Sequence, residues 1–349
     1  MPDALLLPDL IGALPLPTLA IDRNERIVAM NPAAQDLLGA GLQGRNFVTG
    51  LRQPALVDAV EQCLSDRKPR MAPFLAGDAG RSTTFDVTLR HMENHGFLIL
   101  SFQDVTQLAQ AGQMRRDFVA NVSHELRTPL TALMGFIETL SGPARDDAKA
   151  RDRFLGIMAD EAGRMNRLVG DLLSLSRVEA DERVRPTAQT DLIEVLQTTL
   201  RNLNPLAADN EVTLSPDFEV APLRILGDRD QLLQVFTNLI ENAIKYGGSG
   251  QEVSISTETN LRDPALRGPA VRVVVQDQGP GIDALHLPRL TERFYRADSH
   301  RSRALGGTGL GLAIVKHILN RHRGRLRIAS QLGQGSTFTV ILPLDSEGN

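Results

Sequence analysis

The sequence predicts a multidomain α+β chain: an antiparallel-sheet domain, an antiparallel helical hairpin that pairs with a second copy into a four-helix bundle, and an α/β two-layer sandwich. Three observations predict it. Up to about residue 106, short apolar runs alternate with turn residues and small helices. Two long segments between 107 and 180 then repeat apolar residues every three or four positions. From 191 onwards, helical and strand patterns interleave, as in a sheet covered by helices. The corresponding domains run over 8–106, 107–180 and 191–345.

Composition narrows the function without choosing it. With 349 residues the chain can build more than one core. Charged residues make up 23% and hydrophobic ones 42%, with 42 acids against 38 bases, so nothing asks for nucleic acid as a partner. Cys63 is the only cysteine, which excludes a disulfide framework and a cysteine-based zinc site and suits a cytoplasmic setting. No run approaches the roughly 18 apolar residues of a membrane span. Leu5, Leu6 and Leu7 are cut by Pro8, and the N-terminus lacks the basic stretch of a signal peptide. Two arrangements stay open: a soluble form, or attachment at the inner face of the membrane through a segment outside this chain.

In the first domain, strands at 19–21 and 27–30 flank the polar turn at 22–25. Asn31 then caps a short helix with Pro32 at its first position, and 56–64 reads as another helix carrying Cys63. After the Gly-rich break at 77–80, strands follow at 82–89 and 97–102. A five-stranded antiparallel sheet with small helices between its second and third strands resembles the PAS sensor fold. The sequence Asp104-Val105-Thr106 is similar to that family's junction with a signalling helix. No PAS cofactor is legible, and His91 and His95, on either side of a turn, make a poor metal site.

The hairpin's first helix covers 107–140. Its apolar residues Val119, Val122, Leu126, Leu130, Leu133, Ile137 and Leu140 mark one face, and His124 falls on the opposite, solvent-facing side. Thr128 lies one turn further along, and Pro129 is expected to bend the helix there. Breakers at 141–143 end it, and a second helix from 147 to 179 lines up Phe154, Met158, Met165, Leu168, Leu172 and Leu175. Such a hairpin has too little surface to stand alone, so a homodimeric bundle is expected, unless the stripes pack on another part of the same chain.

His124-Glu125-Leu126-Arg127-Thr128-Pro129 resembles the H-box of sensor histidine kinases of two-component systems, in the His-Glu-x-x-Thr subgroup. The wider run looks most like the phosphate-starvation sensor kinases. The resemblance implies a dimerisation and histidine-phosphotransfer domain, followed by an ATP-binding domain of the histidine-kinase, gyrase and Hsp90 type.

Four elements after the polar linker at 181–190 carry the nucleotide chemistry. On one helix, Asn238 and Asn242 share a face with Lys245, followed by Tyr246; two amide oxygens and an ammonium suit magnesium and the phosphates it bridges. Asp277 ends an apolar strand and is followed by Gly279, Gly281 and Ile282, where backbone can approach a flat ring while the carboxylate accepts from an exocyclic amine. This run is similar to the family's G1 box, which implies that Asp277 holds the adenine amino group. Phe294 and Arg296 belong to a run resembling the F-box, and Gly307-Thr308-Gly309-Leu310-Gly311 resembles the G2 box. Glycines before a helix leave backbone donors for phosphate. The spacing is neither a Walker loop nor a dinucleotide fingerprint. The charged stretch between Gly281 and Gly307, with Arg296, Arg301 and Arg303, reads as a mobile lid.

The chemistry implied by the resemblance is transfer of the γ-phosphoryl of ATP to His124, with Mg2+, and then to an aspartate of a response regulator. A neutral imidazole has a lone pair for the attack, and Glu125 is placed to fix its tautomer. Thr128 is, by resemblance, the residue that orients water for dephosphorylating the regulator. Two rivals stand beside this reading. Hydrolases of the same superfamily carry a glutamate four residues before the magnesium asparagine, a position filled here by Asn238. A scaffold that binds ATP without transferring it would keep the same glycine boxes.

Overall fold

The computed structural model describes residues 3–78, 81–92, 95–218, 222–248, 250–298 and 307–344. The chain divides into two compact units, one ending at Ala120 and the other starting at Asn121.

The first unit contains the expected antiparallel sheet. Its strands are β1 (Thr18–Ile21), β2 (Ile27–Met30), β3 (Arg70–Asp78), β4 (Arg81–Met92) and β5 (Phe97–Asp104), in the order β2-β1-β5-β4-β3. Between β2 and β3 lie α2 (Pro32–Leu38), α3 (Phe47–Leu51) and α4 (Pro54–Asp66). They cover one face of the sheet, where Phe47, Leu51, Leu56, Val60 and Cys63 meet the inward residues of the strands. Phe74, Phe85 and Phe102 cluster with centroid separations of 5.4 to 6.5 Å. Asn31 caps α2 as its position predicted, and the same carbonyl accepts from the Thr18 amide at 3.0 Å, which ties the helix start to β1. Cys63 is buried, its thiol donating to the Lys68 carbonyl at 3.0 Å and held above its ordinary range by burial.

Three elements here were not read from sequence: the short helix α3, an N-terminal helix and the third strand. The N-terminal helix, α1 (Asp3–Gly12), runs through Pro8 and packs Leu7 and Ile11 on Ala20 and Ala29, on the other face of the sheet. Burial of that apolar pair outweighs the lost backbone bond at Pro8. Strand β3 contains Pro73, which argues against a central strand; β3 is the edge of the sheet, where a missing donor costs little.

The second unit begins inside α5 (Thr106–Ser141), which forms a hairpin with α6 (Ala148–Asp181). Phe136 and Phe154 stack across it at 5.2 Å. The apolar stripe of α5 stays open to solvent: Leu130 is 50% exposed and Ile137 51%. The far half of α6 instead buries Leu168, Leu175 and Val178 and packs on the helix that closes the chain's last βα turn.

That last part is a two-layer sandwich. Its sheet comprises β7 (Thr213–Asp217), β9 (Glu252–Asp263), β10 (Gly268–Asp277), β11 (Arg325–Ser330) and β12 (Ser336–Pro343), in the order β11-β12-β10-β9-β7, with only β7 and β9 parallel. Two short strands, β6 (Gln189–Asp191) and β8 (Arg224–Leu226), pair separately, so the expected linker carries a strand at its end. Helices α7 (Leu192–Asp209), α8 (Arg229–Gly247) and α9 (Gly311–Arg321) cover one face. Along β10 the period of two puts Val271, Val273 and Val275 towards these helices, and Asp277 follows in the same phase. Helix α8 buries Leu232, Val235, Phe236, Leu239 and Ile240, and turns its polar side the other way.

Candidate active site

The polar side of α8, the end of β10 and the loop before α9 enclose a cavity of about 470 Å3. Asn238, Asn242, Lys245 and Tyr246 line it from α8, spaced by three and four residues so that one face carries them all. Asp277, Gly281 and Ile282 form a second wall, and Arg296, Gly307, Thr308, Gly309 and Gly311 a third. These are the residues that the sequence grouped as one nucleotide site. Three others take different places. Leu310 is fully buried in the core, Gly279 is not among the lining residues and gives its amide to Asp277, and Phe294 supports the loop, donating its amide to the Gly309 carbonyl at 2.8 Å. Arg301 and Arg303 lie outside the described residues.

Asp277 is 4% exposed. Its Oδ1 accepts from the backbone amides of Gly279 at 2.9 Å and Ser336 at 3.2 Å, which fixes the carboxylate and leaves Oδ2 for a ligand. Burial raises its pKa above the usual carboxylate range, against the pull of those two amides. The glycines of this turn are needed for contact. A Cβ on Gly279 would stand 2.6 Å from the Tyr246 carbonyl oxygen, and one on Gly281, at φ +72°, would stand 2.0 Å from that of Gln331.

Other side chains in the cavity are already engaged. Asn238 donates through Nδ2 to the Gly311 carbonyl at 3.4 Å. Lys245 pairs with Glu241, one turn earlier on α8, so its ammonium already has a carboxylate partner within the cavity. Thr308 donates its hydroxyl to Asp171 Oδ2 at 2.7 Å, and its oxygen accepts from the Leu310 amide at 3.2 Å. Glu241, Arg167 and Asp171 were not picked out from sequence, and Tyr295 only as a member of the run resembling the F-box. Glu241 had a legible signal, sitting four residues before Lys245. Asp171 is on α6 and comes to Thr308 from 137 positions away, which no local pattern announces.

His124 is exposed on α5, and Thr128 donates its hydroxyl to the His124 carbonyl at 3.2 Å. Pro129 is buried, and α5 continues through it as one helix. Glu125 does not turn to the imidazole. Its carboxylate meets Arg296 of the cavity wall at 3.0 Å and Arg164 of α6 at 3.3 Å. The residue beside the candidate acceptor is thus joined directly to the nucleotide cavity.

Comparison with known proteins agrees with both halves of this geometry. Residues 114–181 match the His Kinase A (phospho-acceptor) domain, and residues 227–346 the histidine kinase-, DNA gyrase B- and HSP90-like ATPase family. The chain is 39% identical over 328 residues to the phosphate regulon sensor protein PhoR of Pseudomonas aeruginosa, covering 92% of this chain and 70% of that one. The chain belongs to the sensor histidine kinases of two-component systems. A second relative of this kinase is the sensor-like histidine kinase SenX3 of Mycobacterium tuberculosis, 37% identical over 344 residues, with 96% of this chain and 79% of that one covered. Among solved structures, histidine kinase ThkA in complex with response regulator protein TrrA shares the fold, with a TM-score of 0.53 and 21% identity over 98% of this chain and 99% of that one. The kinase is an ATP-dependent protein-histidine kinase, and its ATP-binding module is the sandwich that holds the cavity. Among the described residues, none of its helices is long and apolar enough to cross a membrane.

Proposed function

We propose that the kinase autophosphorylates on His124 and passes the phosphoryl group to an aspartate of a partner response regulator. His124 is the only histidine within the matched phospho-acceptor region, and it stands exposed while its neighbour Glu125 reaches the nucleotide cavity. That juxtaposition carries the reading.

Asp277 would accept from the adenine amino group through Oδ2, and the backbone donors at 307–311 would take the phosphates. Asn242 and Asn238 suit Mg2+, since their amide oxygens are hard ligands and Asn238 already spends its nitrogen on Gly311. Bound there, the ion would neutralise phosphate charge in the transfer. Glu125, once released from Arg296 and Arg164, is one residue from the imidazole and can hold its proton. Thr128 is assigned the orienting of water for dephosphorylation of the regulator.

The homodimer rests on the α5 stripe that the single chain leaves bare, which a second hairpin would bury. The N-terminal sheet domain is read as a PAS-like sensor biasing kinase against phosphatase activity, with domains at 8–106, 107–180 and 191–345. The PhoR relative favours phosphate limitation as the stimulus. The catalytic parts would work in the cytoplasm, where ATP and the regulator are found.

The test is incubation with γ-labelled ATP and magnesium. Label should be acid-labile, stable to alkali and lost in His124→Ala; no label on a wild-type protein that still binds ATP would favour the scaffold reading.

A further inference from the structure

Three carboxylates of the helical hairpin reach into the loop that walls the nucleotide cavity. Glu125 holds Arg296, Asp171 holds Thr308 at 2.7 Å, and Glu179 holds Arg293 at 2.6 Å. All three partners lie between the end of β10 and the start of α9. Asp171 is the one that enters the cavity itself, beside Arg167. Its partner Thr308 sits in the glycine loop at the N-terminus of α9, the part of the cavity best suited to phosphate.

A carboxylate at that point does to the loop what a phosphate oxygen would do, accepting from the same hydroxyl with the same sign of charge. A polyphosphate arriving there meets Asp171 and Glu241 as like charges and must take Thr308 from Asp171. Burial already disfavours the charge on Asp171, with Glu241 adding to the effect, and the Thr308 hydroxyl partly relieves it.

Resting on the nucleotide-site reading above, we propose that Asp171 is a phosphate-mimicking gate: helix α6 seats it on Thr308, so that docking of α6 and binding of the nucleotide's terminal phosphates exclude each other. The stem thereby discriminates among adenine nucleotides by phosphate number. Binding of a triphosphate frees α6 from the cavity, and with it the hairpin face that carries Glu125. By reciprocity, whatever holds α6 down weakens triphosphate binding by the same factor.

The experiment compares binding of AMP, ADP and the β,γ-imido analogue of ATP, in magnesium buffer, to the full chain and to Asp171→Asn. The gate predicts that the variant binds the triphosphate analogue about tenfold tighter, ADP by a smaller factor, and AMP unchanged. Equal gains for all three would mark a loosened structure and overturn it, as would no gain or a loss. On the unaltered protein, hydrogen exchange should rise at 171–182 when the triphosphate analogue binds and stay level with AMP; exchange falling or unmoved there also overturns the gate. A wild type that binds none of the three overturns the nucleotide-site reading itself, whereas binding with no dependence on Asp171 removes the gate alone.

Discussion

Replacing Asp277 by Asn should weaken nucleotide binding while leaving the fold as stable as before or more so. The carboxylate is 4% exposed, and Oδ1 is spent on the amides of Gly279 and Ser336. An asparagine keeps an acceptor for those two amides, so the turn holds. It also removes a buried charge whose raised pKa shows that folding works against its ionised form at neutral pH. At Oδ2, however, an acceptor becomes an NH2 donor, facing the adenine amino group with nothing to accept its hydrogens. A hydrogen bond to a charged group contributes about 1.5–3 kcal/mol, which is roughly ten- to a hundredfold in Kd. Calorimetric titration with ADP gives the affinity and thermal unfolding the stability. A variant that melts lower yet binds ADP normally would refute the reasoning, because Asp277 would then be a structural residue of the turn.

Three further outcomes follow from particular contacts. His322 is buried, with Nε2 accepting from the Asp228 amide at 3.0 Å and Nδ1 facing the Ile318 carbonyl at 2.7 Å, so the fold requires its neutral form. Burial lowers its pKa below 6.5, and as pH falls through 6.5 the unfolded chain takes up a proton that the native one resists; stability is lost on acidification, and His322→Gln should flatten the melting temperature between about pH 6.5 and 5. Thr128→Ala removes only an exposed hydroxyl bonded to the His124 carbonyl, so autophosphorylation should persist and regulator dephosphorylation fall at least tenfold; equal rates of dephosphorylation would free Thr128 from that role. Glu substituted at both Leu130 and Ile137 should turn a dimer into a monomer by analytical ultracentrifugation, and a persisting dimer would mean that the stripe is not its interface.

Much of the fold was legible because local chemistry and tertiary role agree. The alternation of β10 carries straight into Asp277, and the glycines of that turn are where backbone atoms come too close for a Cβ. Helix α8 announces both its buried side and its polar one. What stayed hidden has two physical causes. Pro8 and Pro73 look like breakers, but a buried apolar pair in α1 and an edge position in β3 neutralise their cost. The polar positions of α6 look like a solvated face, but Arg164, Asp171 and Glu179 find partners more than thirty positions away or, beyond the hairpin, more than a hundred. Periodicity identifies the face of a helix and is silent about what meets it. The same holds for Glu125, whose place beside His124 suggested a bond to the imidazole, whereas Arg296 and Arg164 claim its carboxylate.

The central claim is that one solvent-facing imidazole receives phosphate from the nucleotide held by this chain's own sandwich domain. Mass-spectrometric mapping of the protein after reaction with ATP and magnesium, kept at alkaline pH, tests it most directly. The modification should sit on His124 and vanish in Asn242→Ala. Phosphate found on Ser123 or Thr128, or undiminished on His124 in Asn242→Ala, would contradict the account.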